Sequence, residues 1–289
     1  MAAEGTSQAA AKSGSDLKLR VLSALVLAPV ALAAAWAGGW YFAALLAVAA
    51  LVMAQELVRL LYVALGAEHG GPGAAIGLSL AALAVIVLAT IGLPGTALVA
   101  AGAALAFALA GRSWRGLGLS PALFAYPYLL LPLVALIWLR ADPQFGLMVI
   151  FWLLATVWAI DICAYFAGRF IGGPKLAPRI SPKKTWAGLI GGMVGAAAVG
   201  IGTALWIGTG SAVLLALVGI VMTVLEQAGD FVESALKRRA GVKDSGTLIP
   251  GHGGILDRVD GLVAVALGAA LLALLHNAAQ PGAGVLIWP

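Results

Sequence analysis

Cysteine occurs once in the 289 residues, as Cys163, so no disulfide framework can form within the chain. Charge is equally scarce: 10% of residues are Asp, Glu, Lys or Arg, where an ordinary soluble domain carries about a quarter. That deficit excludes a water-soluble fold, because too few polar side chains exist to cover its surface. Extended polar stretches are confined to the N-terminal tail and two loops, which leaves no room for a separate soluble domain. Residues 1–19 are Ala, Gly and Ser with scattered charges and read as a disordered tail. The apolar run from Val21 leads into Gly38-Gly39-Trp40 and a second apolar run, so a cleaved signal peptide is not expected. Cys163 lies inside an apolar run and reads as a small buried hydrophobe.

What is present in abundance is hydrophobe, at 62% of the chain. About 20 mostly apolar residues cross a bilayer as a helix. Nine stretches qualify, roughly 21–38, 41–63, 74–92, 95–111, 119–139, 146–167, 187–207, 211–232 and 256–276. The expected fold is all-α, a polytopic integral membrane protein with about nine transmembrane helices. Gly92-Leu93-Pro94-Gly95 predicts a tight hairpin between the third and fourth stretches. With the N-terminus in the cytoplasm and the C-terminus outside, 16 of the 17 basic residues fall on the cytoplasmic side, and Arg140 alone falls outside. The expected location is the inner (plasma) membrane, crossed many times, with the site facing the cytoplasm.

Beyond the tail, the chain reads as N-terminal helices over 20–145 and a catalytic region over 146–289. In the first five stretches the ionisable residue to note is Glu56, close enough to Arg59 to pair with it. From Asp161 onward, Asp161, Glu226, Asp230 and Glu233 stand within or at the ends of apolar helices. A charge at the bilayer centre costs roughly 2.5–3.5 kcal/mol on insertion scales, so such residues mark a site.

Two clusters carry the chemistry. The first runs from Asp161, Tyr165 and Arg169 through Gly172-Gly173-Pro174-Lys175 and Arg179 to Ser181-Pro182-Lys183-Lys184-Thr185. Ser181 suits an N-cap and Pro182 a first helical position, which predicts a helix start there whose free N–H groups and flanking lysines would receive a phosphate. The segment Gly168–Lys175 lacks the glycine-lysine-serine/threonine ending of a nucleotide phosphate loop and no strand precedes it. Gly188, Gly191, Gly192 and Gly195 form a small-residue stripe for close helix packing, which permits a homodimer without requiring one.

In the second cluster, Glu226, Asp230, Glu233, Ser234 and Lys237 share one helical face. They are followed by Arg238, then by a loop with Lys243, Asp244 and Pro250-Gly251-His252-Gly253-Gly254, and by Asp257, Arg258 and Asp260. Carboxylates among glycines and cations suit a Mg²⁺ bound by one or two acids and completed by substrate phosphates.

Ser234-Ala235-Leu236-Lys237-Arg238, Lys243-Asp244 and Ile249-Pro250-Gly251-His252-Gly253-Gly254-Ile255-Leu256-Asp257-Arg258-Val259-Asp260 together resemble the signature of phosphatidate cytidylyltransferases, without departure across residues 234–260. The resemblance extends over about 150–265. It implies that CTP and phosphatidic acid give CDP-diacylglycerol and pyrophosphate with Mg²⁺, a second metal ion being left open by the number of carboxylates. It implies Asp230 and Asp257 as metal ligands, with Asp260 beside them. Lys237, Arg258 and His252 join those two aspartates as the catalytic set. The attacking phosphate is already anionic, so a hydrogen bond to phosphate suits His252 better than the role of base. Asp161, Ser181, Lys183, Lys184, Thr185, Ser234, Arg238, Lys243, Asp244, Gly253 and Gly254 would contact the substrates. Membrane lipids are the surroundings, and no nucleic-acid partner is expected. The rival readings are a CTP-dependent lipid kinase of a polyprenol-type alcohol and, further off, an ion-coupled transporter whose acids would lie near the midplane.

Overall fold

A computed structural model describes residues 25–67, 71–111, 114, 120–248 and 253–289. The expected tail, Arg112, Arg115 and His252 therefore lie outside the described residues.

The described chain is helical almost throughout: α1 (Leu25–Ala37), α2 (Gly39–Ala64), α3 (Pro72–Thr90), α4 (Pro94–Ala110), α5 (Ser120–Arg140), α6 (Gly146–Phe170), α7 (Trp186–Ile207), α8 (Ala212–Arg239), α9 (Leu256–Asn277) and α10 (Pro281–Leu286). Among the described residues, seven helices (α2, α3 and α5–α9) are long and apolar enough to cross a membrane, while α1 and α4 are shorter apolar helices. The protein is thus an all-α, multi-spanning membrane protein. The expected hairpin between α3 and α4 is present, closed by a bond from the Leu93 amide to the Leu88 carbonyl at 2.9 Å.

Apolar side chains pack in two groups. One joins α2–α5 to the first turns of α9 through residues such as Leu57, Leu78, Leu130 and Leu256. The other joins the far half of α5 to α6, α8, α9 and α10 through Leu139, Trp152, Leu215 and Val265.

The α7 glycines do the packing that their spacing predicts, and they do it inside the chain. A methyl group at Gly195 would meet Cys163 Sγ at 2.7 Å and the Ala159 carbonyl at 2.9 Å, both on α6. On its other side, α7 receives α8: a methyl at Gly200 would meet the Leu215 carbonyl at 2.6 Å. The stripe is filled by α6 and α8, so it is not a free surface for a second copy. Cys163 is half-buried in this seam, as a small apolar filler.

At the end of the bundle opposite the polar loops, Arg140 donates from Nε to the Ala35 carbonyl at 2.6 Å and from Nη2 to the Trp36 carbonyl at 3.0 Å. The guanidinium therefore caps the C-terminus of α1, where carbonyls lack helical partners and the helix dipole favours a cation.

One local expectation is overturned. The segment after α6 forms an antiparallel hairpin of β1 (Lys175–Ala177) and β2 (Ser181–Thr185), in which Lys175 pairs with Thr185 and Ala177 with Ser181. Ser181 therefore does not cap α7, and Pro182 is in a strand. Thr185 is the cap instead: its backbone is extended and its hydroxyl accepts from the Gly188 amide at 3.1 Å. Both residues have a capping side chain; pairing with β1 holds Ser181 in the strand, and two-stranded edges tolerate proline.

Candidate active site

Four stretches meet at the polar end of the bundle: the end of α6, the β-hairpin, the end of α8, and the loop that enters α9. Their helices approach closely because glycine stands at the crossings. A methyl at Gly229 of α8 would meet the Asp260 carbonyl of α9 at 2.7 Å, and one at Gly261 would meet Glu226 Cγ at 2.8 Å. Small residues here bring the acids of α8 and α9 face to face.

The predicted acidic face of α8 exists. Ser234 Oγ donates to Asp230 Oδ1 at 2.9 Å, and Lys237 Nζ donates to Glu233 Oε2 at 2.6 Å, both one turn apart. Lys184 Nζ, from β2, forms an ion pair with Asp230 Oδ2 and lies 5.3 Å from the centre of the Phe231 ring. The hairpin is drawn to α8 a second time where Arg238 Nε donates to the Ile180 carbonyl at 3.4 Å.

Lys237 is the hub. Its ammonium reaches Asp257 Oδ1 at 2.7 Å as well as Glu233, and both carboxylates are buried. The other oxygen of Asp257 accepts from the Ser245 amide, the Ser245 hydroxyl and the Gly254 amide, each at 2.8 Å. Asp257 thus holds the loop that precedes its own helix. Gly253 makes this turn with φ of 84°, and a methyl there would sit 2.6 Å from Asp257 Oδ2. Only glycine combines that dihedral with that approach.

Sequence reasoning missed Glu56. It expects a pair with Arg59, but among the described residues no ion pair joins the two. Glu56 is 7% exposed. Its carboxylate accepts from the Leu256 amide at 2.9 Å, the Ile255 amide at 3.1 Å and the Ser245 hydroxyl at 3.2 Å. A lone acid near the end of an apolar helix was the available signal, and the nearby arginine obscured it. Ser245, between two signature segments, and Tyr128 of α5 were also missed. The Tyr128 hydroxyl is buried without a hydrogen-bond partner and lies within electrostatic reach of Asp230, Glu233 and Asp260.

Other predicted residues are distributed around this centre. Thr185 is buried as the α7 cap, and Gly254 is buried against Glu56 and Ser245. Asp161 is on the exposed side of α6, within electrostatic reach of Lys184, Asp230 and Arg258. Lys183, Lys243, Asp244 and Arg258 are exposed around the rim, and Ser181 is half-buried at the hairpin base. Glu226, 5% exposed, is one turn deeper than Asp230.

Oxygen atoms are the donors available for a metal. Among the described residues no three acidic, histidine or cysteine side chains converge tightly enough to hold an ion alone. Mg²⁺ does not require that, since one or two carboxylates suffice when water and phosphate complete its shell. Glu233 is 1% exposed and its Oε1 is buried with no hydrogen-bond partner, beside Asp260. An orphaned buried carboxylate oxygen facing a second carboxylate fits a hard cation. Asp257 is unevenly engaged: its Oδ2 accepts three donors, whereas Oδ1 accepts from Lys237 alone and keeps a lone pair.

A family model described as the cytidylyltransferase family matches residues 18–276. The phosphatidate cytidylyltransferase of Brucella suis is 39% identical over 258 residues, which cover 87% of this chain and 91% of the relative. The protein of the same name from Pseudomonas aeruginosa is 36% identical over 280 residues, covering 89% of this chain and 97% of its own length. That of Bacillus subtilis is 43% identical over 130 residues, 44% of this chain.

Proposed function

The chain belongs to the cytidylyltransferase family, and from that premise we propose that it transfers the cytidylyl group of CTP to phosphatidic acid, releasing pyrophosphate and forming CDP-diacylglycerol for phospholipid synthesis. The observation that carries the reading is the Lys237 bridge between Glu233 and Asp257, which joins the first and last described parts of the 234–260 signature.

A phosphate oxygen of the lipid attacks the α-phosphorus of CTP in line. The bond from that phosphorus to the bridging oxygen breaks, and the electrons leave with pyrophosphate. The attacking oxygen is already anionic, so the protein's work is positioning and charge stabilisation. Lys184, with Lys183, Ser181 and Thr185 nearby, receives one phosphate. Lys237, Arg238, Lys243 and Arg258 offset the charge that accumulates on the leaving group. Ser234, Asp161, Asp244, Gly253 and Gly254 shape the basin, and His252 offers a hydrogen bond to phosphate. Asp230, Asp260 and Asp257, the last through its Oδ1, would hold Mg²⁺, with Glu233 Oε1 beside Asp260 as a further oxygen. The ion, when bound, neutralises phosphate oxygens and supplies Lewis acidity.

The proposed topology has nine spans, counting α1 and α4, with the N-terminus in the cytoplasm. The chain then resides in the inner membrane with the site at the cytoplasmic interface, where a bilayer-held lipid and a water-borne nucleotide can meet.

The test is incubation of purified protein with phosphatidic acid, Mg²⁺ and CTP labelled separately at the α- and γ-phosphates. Entry of α-label into lipid with release of pyrophosphate is expected. Failure of that transfer, with γ-label passing instead to an isoprenoid alcohol, would overturn the reading in favour of a kinase.

A further inference from the structure

The N-terminus of α9 has no side-chain cap from its own strand of sequence. Its first-turn acid, Asp257, turns back to bind the Ser245 and Gly254 amides. The Ile255 and Leu256 amides would be orphaned, but Glu56 of α2 accepts from both at 3.1 and 2.9 Å. Two carboxylates thus divide the donors of one short loop. Between them stands Ser245, whose single hydroxyl proton is shared: Asp257 Oδ2 lies at 2.8 Å and Glu56 Oε2 at 3.2 Å. The line runs unbroken from Glu56 through Ser245 and Asp257 to Lys237.

The loop is shaped to this carboxylate. A methyl at Gly254 would lie 2.5 Å from Glu56 Oε2 and collide with Ser245 Oγ, and one at Gly246 would reach Glu56 Cδ at 3.0 Å. An ionisable group in an apolar helix is costly to insert and is retained where it has partners. An apolar residue could fill the same space but could not accept three bonds.

We infer that Glu56 is a positioning residue for cytidylyl transfer: from the N-terminal half of the chain it sets Ser245 and the 254–256 turn, and through Ser245 and Asp257 the Lys237 ammonium. This rests on the loop facing the nucleotide, as proposed above. Displacing such groups by about an ångström can cost up to about a hundredfold in catalytic efficiency.

The experiment is steady-state kinetics of the full-length protein carrying Glu56→Gln, Glu56→Asp, Ser245→Ala, or Glu56→Gln with Ser245→Ala. In Glu56→Gln, one acceptor becomes a donor that faces amides. The expected result is a kcat/KM for CTP lowered about tenfold per folded molecule, with the KM for phosphatidic acid unchanged, on the displacement scale given above. Glu56→Asp, which keeps the charge but shortens the reach, restores part of that loss, and the double variant is no worse than the worse single one. A purely structural role lowers the yield of folded protein while leaving kcat per folded molecule and both KM values at the wild-type level; that outcome, wild-type kinetics throughout, or losses that multiply in the double variant would each overturn the inference. If the wild-type protein itself transfers no α-label, the functional reading has failed and Glu56 is not at issue.

Discussion

Lys237 and Asp257 stand 20 residues apart in the chain and meet at 2.7 Å, with Glu233 completing the contact at 2.6 Å on the other side of the ammonium. One cation between two buried carboxylates joins the end of α8 to the start of α9. The loop between them is held at both ends by this contact.

Lys237→Met is expected to leave both acids buried without their counter-ion. Breaking a buried pair by removing one partner destabilises by about 3–5 kcal/mol. Thermal unfolding in detergent should show a marked fall in midpoint, together with loss of cytidylyl transfer. Unchanged stability would show that the two carboxylates are solvated in a way their burial denies.

Asp230→Asn should retain the fold, because its side chain is a quarter exposed. It removes together the counter-ion of Lys184 and one of the oxygens proposed to hold Mg²⁺. The expected effect is a fall in activity of roughly a hundredfold or more, as for loss of an electrostatic stabiliser, with a higher Mg²⁺ concentration needed for half-maximal rate. In the wild type, chelation should abolish transfer, and excess Mg²⁺ should restore it.

Thr185→Val should destabilise α7 by about 1 kcal/mol through loss of its cap, whereas Ser181→Ala should leave helix stability nearly unchanged. Hydrogen exchange at the Gly188 amide reads the difference directly. Equal effects of the two substitutions would return the helix start to Ser181.

Gly191→Val should prevent close approach of α6 and α7, since even a methyl at this position would sit 2.9 Å from the Cys163 carbonyl and collide with Ala167 Cβ. Gly202→Ala, on the same helix but with nothing within 4 Å, should be tolerated. Size-exclusion profiles in detergent would separate the two: aggregation for the first, a wild-type peak for the second.

Much of this architecture is legible in the residues because the bilayer constrains it strongly. Apolar length finds the helices, and a 3.6-residue period places Asp230, Ser234, Glu233 and Lys237 on one face, where two bonds join them. The β-hairpin was not legible. Ser181 and Thr185 offer the same capping chemistry, and the choice is made by pairing with Lys175–Ala177, a contact that local spacing does not encode. Glu56 was illegible for a related reason. Its nearest cation in sequence is Arg59, while its actual partners are Ser245, Ile255 and Leu256. Helical periodicity predicts neighbours one turn away and says nothing of partners in another helix.

The distance between Glu56 and Ser245 in the chain, 189 residues, has a meaning for biogenesis. Ribosomes add roughly 5–20 residues per second, so α2 enters the membrane roughly 10–40 s before its carboxylate's partners exist. During that interval the acid must stay at the water interface or against other polar groups. The final seating of α2 therefore waits on the synthesis of α9, and a chain truncated before residue 245 is expected to expose an unpartnered acid for quality control to recognise.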